Sequence, residues 1–113
     1  MKFFEINEFD CSHTGENRMN EDFLSRLDNL RAHCGFPFII TSGYRDPTHP
    51  VEASKMDPGT HAQGIAADIL VSNGIERRAI AKNAFLIGFN GIGIADDFVH
   101  VDTRQTTPVM WCY

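Results

Sequence analysis

The sequence places one acidic residue inside an otherwise apolar run, and this feature constrains the fold more than any other. Residues 65–71 read Ile-Ala-Ala-Asp-Ile-Leu-Val. Such a short apolar run is typical of a strand that is buried on both faces. The exception is Asp68, and burying its carboxylate costs several kcal/mol unless a partner compensates for it. The fold must therefore bring a partner to Asp68.

Two histidines are the candidate partners of Asp68. His61 lies seven residues upstream, in a loop whose small residues allow it to fold back over the strand, and His100 interrupts a second apolar run at 98–102. Each residue taken alone is more often a hydrogen-bonded core residue or an ion-pair partner than a metal ligand. Together they supply two nitrogens and one oxygen, which suits a catalytic zinc that keeps a fourth position open. The sequence therefore predicts a zinc site and a metal hydrolase.

Hydrolysis also requires a base and a cation for the developing oxyanion. We predict Asp97, three residues before His100, as the general base. Residues i and i+3 of a regular strand point to opposite faces, so the turn must redirect Asp97, or else Asp96 takes the role. Arg45 is the candidate for this cation. The alternative is that Arg45 is a surface residue that forms an ion pair with Asp46.

Periodicity predicts a small α+β domain. Apolar residues recur at helical spacing after Asn20, which predicts a first helix with Asn20 as its N-cap and Gly35 at its end. A second helix is predicted over 75–87, and its inward stripe begins at Ile75. Strands are predicted over 37–41, 65–71, 91–94 and 98–102, with an edge strand within 108–113 whose Trp111 packs against the core. We expect a largely antiparallel sheet covered by two main helices, forming one domain over residues 1–113.

Residues 46–60 contain three prolines and one glycine, and we expect them to form no regular element. A long loop inside a compact domain is usually functional. Only Val51 and Met56 are large apolar residues in its middle, so we expect the loop to border the substrate cleft. His49 and Glu52 would then contact a polar peptide.

The charge distribution excludes several classes of partner. A net charge of −5 and the absence of a basic block argue against nucleic-acid binding. No run approaches the roughly 18 apolar residues of a membrane span. The N-terminus lacks the apolar segment of a signal peptide, so we expect synthesis in the cytoplasm and, for so compact a domain, a monomer.

Three motifs resemble those of the M15 zinc peptidases. They are Ser-Gly-Tyr-Arg at 42–45, His-x-x-Gly-x-Ala-x-Asp at 61–68 and Phe-Val-His-Val-Asp at 98–102. The group includes D-alanyl-D-alanine carboxypeptidases and phage endolysins that cut the L-alanyl-D-glutamate bond, and its fold is shared with the Hedgehog signalling domain. The resemblance extends over about residues 20–104, which is most of the chain.

The resemblance implies specific roles for residues that the motifs contain or adjoin. It implies zinc on His61, Asp68 and His100, with Asp97 as the base and Arg45 polarising the carbonyl. For substrate binding it implies a set of three residues, Ser42, Tyr44 and Thr60. The family often has Ser two residues before the first His, where this chain has Gly59, so substrate anchoring departs from the family pattern.

The resemblance also implies a substrate, which is an amide bond in the stem peptides of peptidoglycan, cut by a carboxypeptidase or an endopeptidase. Without a signal peptide, the chain resembles a compact phage-encoded enzyme that reaches the cell wall after lysis or on a virion. The alternative is a non-catalytic zinc-containing module of the Hedgehog kind, with a binding or structural role. The presence of Asp97 and Arg45 favours the enzyme, because a structural zinc site needs neither.

Overall fold

The computed structural model describes residues 1–53, 55 and 59–113. It confirms the predicted α+β class, with a five-stranded, mostly antiparallel sheet whose core packs against the two main helices. The elements, in chain order, are a 3-10 turn at Ile6–Phe9, α1 (Glu21–Cys34), β1 (Ile40–Ser42), α2 (Pro50–Ala53), β2 (Ala66–Leu70), α3 (Gly74–Ile87), β3 (Gly91–Ile94), β4 (Phe98–Asp102) and β5 (Val109–Cys112). Within this described part of the chain, no helix is both long enough and apolar enough to cross a bilayer.

The strand order β1-β2-β4-β3-β5 places the two apolar runs side by side. Strands β2 and β4 pair antiparallel, and the register puts Asp68 directly opposite His100. Only the pairing of β5 with β3 is parallel. The order of the strands therefore brings together two polar residues that lie far apart in the sequence.

The two faces of the sheet differ because side chains alternate along each strand. In β4, Val99 and Val101 point into the hydrophobic core beneath the helices, whereas His100 and Asp102 lie on the opposite face. The core joins residues of both main helices to the strands, and its fully buried members include Phe23, Leu27, Leu30, Ile69, Ile80, Val99 and Val101.

The first main helix begins and ends where the sequence predicts, and the second begins at Gly74, one residue before the predicted start. The side chains of Asn20 and Asn73 each accept a hydrogen bond from a backbone N–H three residues on, at 2.8 and 2.9 Å. Gly35 and Gly88 follow the last turns with φ of 76° and 99°, the left-handed conformation that favours glycine. These caps fix the lengths of the two helices that cover the sheet.

The inward stripe predicted for the second helix is wrong at its first residue. Ile75 is 83% exposed, whereas Ile80 and Ala84 are buried. Five residues at about 100° each place Ile75 roughly 140° around the helix from Ile80, so the two cannot face the same core. The buried stripe begins only at Ile80.

Two further expectations are corrected by the elements themselves. The segment 46–60 is not wholly irregular, because Pro50–Ala53 forms the short helix α2; Met56 and Asp57 of that loop lie outside the described residues.

Trp111 does not join the hydrophobic core. Because β5 runs parallel to β3 with Gly93 opposite Trp111, the indole lies on the other face of the sheet, next to His100.

Gly91 makes the closest approach in the sheet, and we predict that it tolerates no side chain. A Cβ at this position would lie 2.1–2.3 Å from the carboxyl group of Asp102, which is fully buried. Gly91→Ala should destabilise the protein by about 1–3 kcal/mol, the usual cost of overpacking. Urea denaturation measures this, and Gly74→Ala is the control, since its Cβ would contact only the end of the Arg77 side chain at 3.7 Å. Equal stabilities of the two variants would contradict the prediction.

Candidate metal centre

Three polar side chains converge at the β2–β4 pair, on the face of the sheet opposite the hydrophobic core. They are His61, Asp68 and His100, all of them buried, and their potential ligand atoms lie within 4.8 Å of one another. Asp68 Oδ1 is 3.3 Å from His61 Nε2 and 2.9 Å from His100 Nδ1. The structure thus brings together the three residues that the sequence singles out.

The orientation of His61 is set by a hydrogen bond behind the ring. Its Nδ1 lies 2.8 Å from the backbone carbonyl oxygen of Gly43. A carbonyl oxygen can only accept, so Nδ1 carries the proton and donates it. In the neutral ring, Nε2 therefore presents a lone pair toward Asp68, which is the state that a metal ligand requires.

The loop that carries His61 reaches this position because of Gly64. Its φ is 74°, and a Cβ there would lie 2.1 Å from the backbone oxygen of Arg18. The carbonyl of Gly64 in turn accepts a hydrogen bond from the N–H of Asn20, at 2.8 Å. Gly64 is thus required for the contact of this loop with the segment before α1, and that contact holds His61 over the strand.

His100 lies between two carboxylates. Its Nδ1 faces Asp68, and its Nε2 lies 2.7 Å from Oδ2 of Asp102. Burial alone would lower the pKa of His100, but hydrogen bonds to Asp102 and Asp68 raise it above the ordinary value. When the ring is neutral, the carboxylate of Asp102 retains the Nε2 proton and Nδ1 is free to bind a metal. The donor set, two imidazole nitrogens and one carboxylate oxygen, fits zinc.

The two carboxyl groups are held in the ionised form. Burial would raise the pKa of Asp68, yet hydrogen bonding and charge interactions with the rings of His100 and His61 bring it well below its usual range. Burial acts in the same way on Asp102, and hydrogen bonds from Arg104 and His100 bring the pKa of that carboxyl well below its usual range.

These shifts predict an acid-labile fold for the metal-free protein. A carboxyl whose folded-state pKa lies below its unfolded value stabilises the fold above the unfolded pKa, and this contribution is lost as the pH falls. The melting temperature in chelator should therefore fall between about pH 4 and pH 2, below the unfolded-state pKa of about 3.9. Asp102→Asn, which removes one of the two groups, should show a weaker dependence. Parallel curves for the two proteins would contradict this.

Arg45 lies beside the centre, as its position in the sequence suggested. Its Nη2 is 3.7 Å from Oδ2 of Asp68, and its Nη1 is 4.0 Å from Oε2 of Glu52. Glu52 itself is only 4% exposed and accepts hydrogen bonds from Lys55 Nζ and from the backbone N–H of Gly59, at 2.7 and 2.9 Å. The prediction that Glu52 contacts a substrate is therefore wrong, because its carboxylate holds the loop against Arg45.

Asp97 lies on the exposed turn between β3 and β4. It lines a shallow pocket together with Asp96 and Tyr113. The turn is fixed from behind by Arg77, whose guanidinium donates to the backbone carbonyl oxygens of Ala95 and Asp96. The carboxylate of Asp97 makes no hydrogen bond or ion pair with the three converging residues. Its role as the base stays a prediction.

The three residues predicted to bind substrate occupy different settings. Ser42 is half-buried at the end of β1, opposite Asp68 in the register. Tyr44 is only 3% exposed, and its backbone N–H donates to Phe9. Thr60 lines a polar cleft of about 980 Å³ that also reaches Arg104, although the described lining of this cleft does not include the converging residues themselves.

Sequence reasoning missed the groups behind His100. Asp102 is the buried acceptor of its Nε2 proton, Arg104 binds that carboxylate, and Trp111 packs against the ring at 5.1 Å between centroids. A signal was present for Asp102, because a residue two positions after His100 in a strand lies on the same face. No local pattern indicates Arg104 or Trp111.

Comparison with known families shows to which family the chain is similar. The sequence model of the family described as Peptidase M15 matches residues 2–102, well over half of the chain. The matched range contains the three converging residues, Arg45 and Asp97, and it ends at Asp102. No curated protein matches the chain.

Proposed function

We propose that this chain, which belongs to the M15 peptidase family, is a zinc peptidase that hydrolyses an amide bond in the stem peptides of peptidoglycan. Members of this family are zinc-dependent metallopeptidases. The observation that carries the proposal is the convergence of His61, Asp68 and His100 on one point of the sheet. Zinc held there would act as a Lewis acid and lower the pKa of a water molecule toward neutrality.

The chain's own residues would supply the remaining chemistry. Asp97, on the turn that precedes β4, would accept the proton of the attacking water as a general base. Arg45 would face the negative charge that develops on the carbonyl oxygen. Its ion pairs with Asp68 and Glu52 are long, at 3.7 and 4.0 Å, and 21% of its side chain is exposed, so the guanidinium could contact a further group.

Substrate contacts would come from the two sides of the centre. Ser42 ends the strand next to Asp68, and Thr60 immediately precedes His61 and lines the polar cleft. Tyr44 would contribute by its packing, since its side chain is almost fully buried. We propose that the chain is a single domain. It would act as a monomer on the cell wall, after release from the cell or from a virion.

The test is incubation of the zinc-loaded protein with muropeptides of defined structure. Mass spectrometry should show product pairs whose masses sum to that of the substrate plus one water, and the position of the cut distinguishes a carboxypeptidase from an endopeptidase. Chelator-treated protein is the control. Intact muropeptides in every reaction, from a protein that holds zinc, would favour the non-catalytic module.

A further inference from the structure

We propose that Asp102 and Arg104 act together as positioning residues for His100, holding its ring so that Nδ1 points into the metal centre. The inference rests on the proposed zinc site and goes beyond it, because neither residue approaches the metal position through its own side chain. Arg104 also lies outside the range matched by the family model.

The first contact fixes which nitrogen of His100 is available. Oδ2 of Asp102 lies 2.7 Å from Nε2, and the Asp102 side chain is fully buried. Both ring nitrogens face a carboxylate, but only Asp68 belongs to the candidate ligand set. With Nδ1 as the ligand nitrogen, Nε2 keeps its proton and donates it to Asp102. Nδ1 is the nitrogen that faces Asp68, at 2.9 Å.

The second contact fixes the carboxylate itself. Arg104 donates to it through Nε to Oδ1 at 2.9 Å and through Nη2 to Oδ2 at 2.7 Å, the bidentate geometry of strong charge-assisted pairs. The backbone N–H of Arg104 adds a third hydrogen bond to Oδ1, at 3.0 Å. Asp102 therefore has little freedom to rotate away from His100.

The third contact is made by Trp111, which lies against both Arg104 and His100. The guanidinium of Arg104 lies 5.1 Å from the ring centre of Trp111, and the Trp111 and His100 ring centres are also 5.1 Å apart. Gly93 leaves the space for this indole, because a Cβ there would lie 2.7–2.9 Å from its ring. His100 is thus held by Asp102 at one nitrogen and by Trp111 against its ring.

Zinc affinity is the quantity that this arrangement should control. A hydrogen-bonded carboxylate behind a ligating histidine typically changes metal affinity by about 10–100-fold. A purely structural pair would change the stability of the fold and leave the affinity of the folded protein for zinc unchanged.

The experiment is chelator competition, which gives the zinc dissociation constants of the wild type and of Asp102→Asn, Arg104→Ala and Arg104→Lys, with folding checked by circular dichroism. We expect Asp102→Asn and Arg104→Ala to weaken zinc binding by about 10–100-fold, and Arg104→Lys to weaken it less, since a lysine keeps the charge. Arg26→Ala is the matched control, because this exposed arginine also pairs with an aspartate, Asp22. It should bind zinc as the wild type does.

A second readout is the visible absorption spectrum of the cobalt-substituted protein, which reports ligand geometry. It should shift in Asp102→Asn and Arg104→Ala and not in Arg26→Ala. Wild-type affinity and an unshifted spectrum in folded Arg104→Ala would overturn the inference even if Asp102→Asn failed to fold. A wild-type protein that bound no zinc would instead overturn the proposed function, and the inference with it.

Discussion

Replacing His100 with alanine is expected to abolish zinc binding and to destabilise the metal-free protein by about 3 kcal/mol or more. The imidazole lies between the carboxylates of Asp68 and Asp102, both buried, and hydrogen bonds to each. Its removal takes away one of the ligand nitrogens and leaves two buried charges with fewer partners. Elemental analysis measures the zinc content, and urea denaturation in chelator measures the free energy of unfolding.

His33→Ala is the matched control for this variant. His33 is an exposed residue in the last turn of α1, and its Nδ1 lies 2.9 Å from the backbone oxygen of Asn29 in the same helix. Zinc content and stability should both stay close to those of the wild type. If His100→Ala retained its full zinc content, His100 would not be a ligand and the centre would have to be assigned differently.

Replacing Asp97 with asparagine is expected to lower turnover by about 10²–10⁴-fold, the usual contribution of a general base, while zinc content stays at the wild-type level. The substitution keeps the size of the side chain and removes its basicity. The backbone carbonyl of Asp97, which accepts a hydrogen bond from the N–H of Val71 at 2.8 Å, is unaffected. The fold and the turn should therefore persist, and the melting temperature checks this.

Asp96→Asn distinguishes the two acidic residues of the turn. Both side chains are exposed, and both line the same shallow pocket. We expect Asp96→Asn to keep most of the activity. If Asp96→Asn lost activity while Asp97→Asn kept it, the base would have been assigned to the wrong neighbour.

The convergence of His61, Asp68 and His100 could be predicted from the sequence, because a polar residue in an apolar strand needs a buried partner. A lone Asp68 in a doubly apolar strand needs a partner, and His100 interrupts a second such strand in the same way. What spacing alone leaves open is the register. The pairing of Asp68 with His100 depends on β2 and β4 being neighbours, which the strand order of the sheet decides.

The surroundings of the centre could not be predicted, because they depend on contacts between distant segments. The buried position of Glu52 follows from its bonds to Lys55 and Gly59 and from the approach of Arg45. In sequence, this carboxylate looks like any polar residue of a loop. Its burial is a property of the folded loop alone.

The prediction that Trp111 packs against the core was wrong for a similar reason. An aromatic residue near the end of a chain is usually a core residue, and the alternation along β5 does not say which face it occupies. Only the parallel pairing with β3 puts Trp111 opposite Gly93 and against His100. The helices were easier, because Asn20, Gly35, Asn73 and Gly88 mark their ends with side-chain and backbone chemistry that acts within one turn.

Titration of zinc into the metal-free protein, with cleavage of a muropeptide followed at each addition, tests the central claim most directly. If His61, Asp68 and His100 hold one catalytic zinc, activity should be absent at the start, rise in proportion to added zinc and level off at one equivalent per chain. Full activity before any zinc is added, or no cleavage after one equivalent has bound, would contradict the claim.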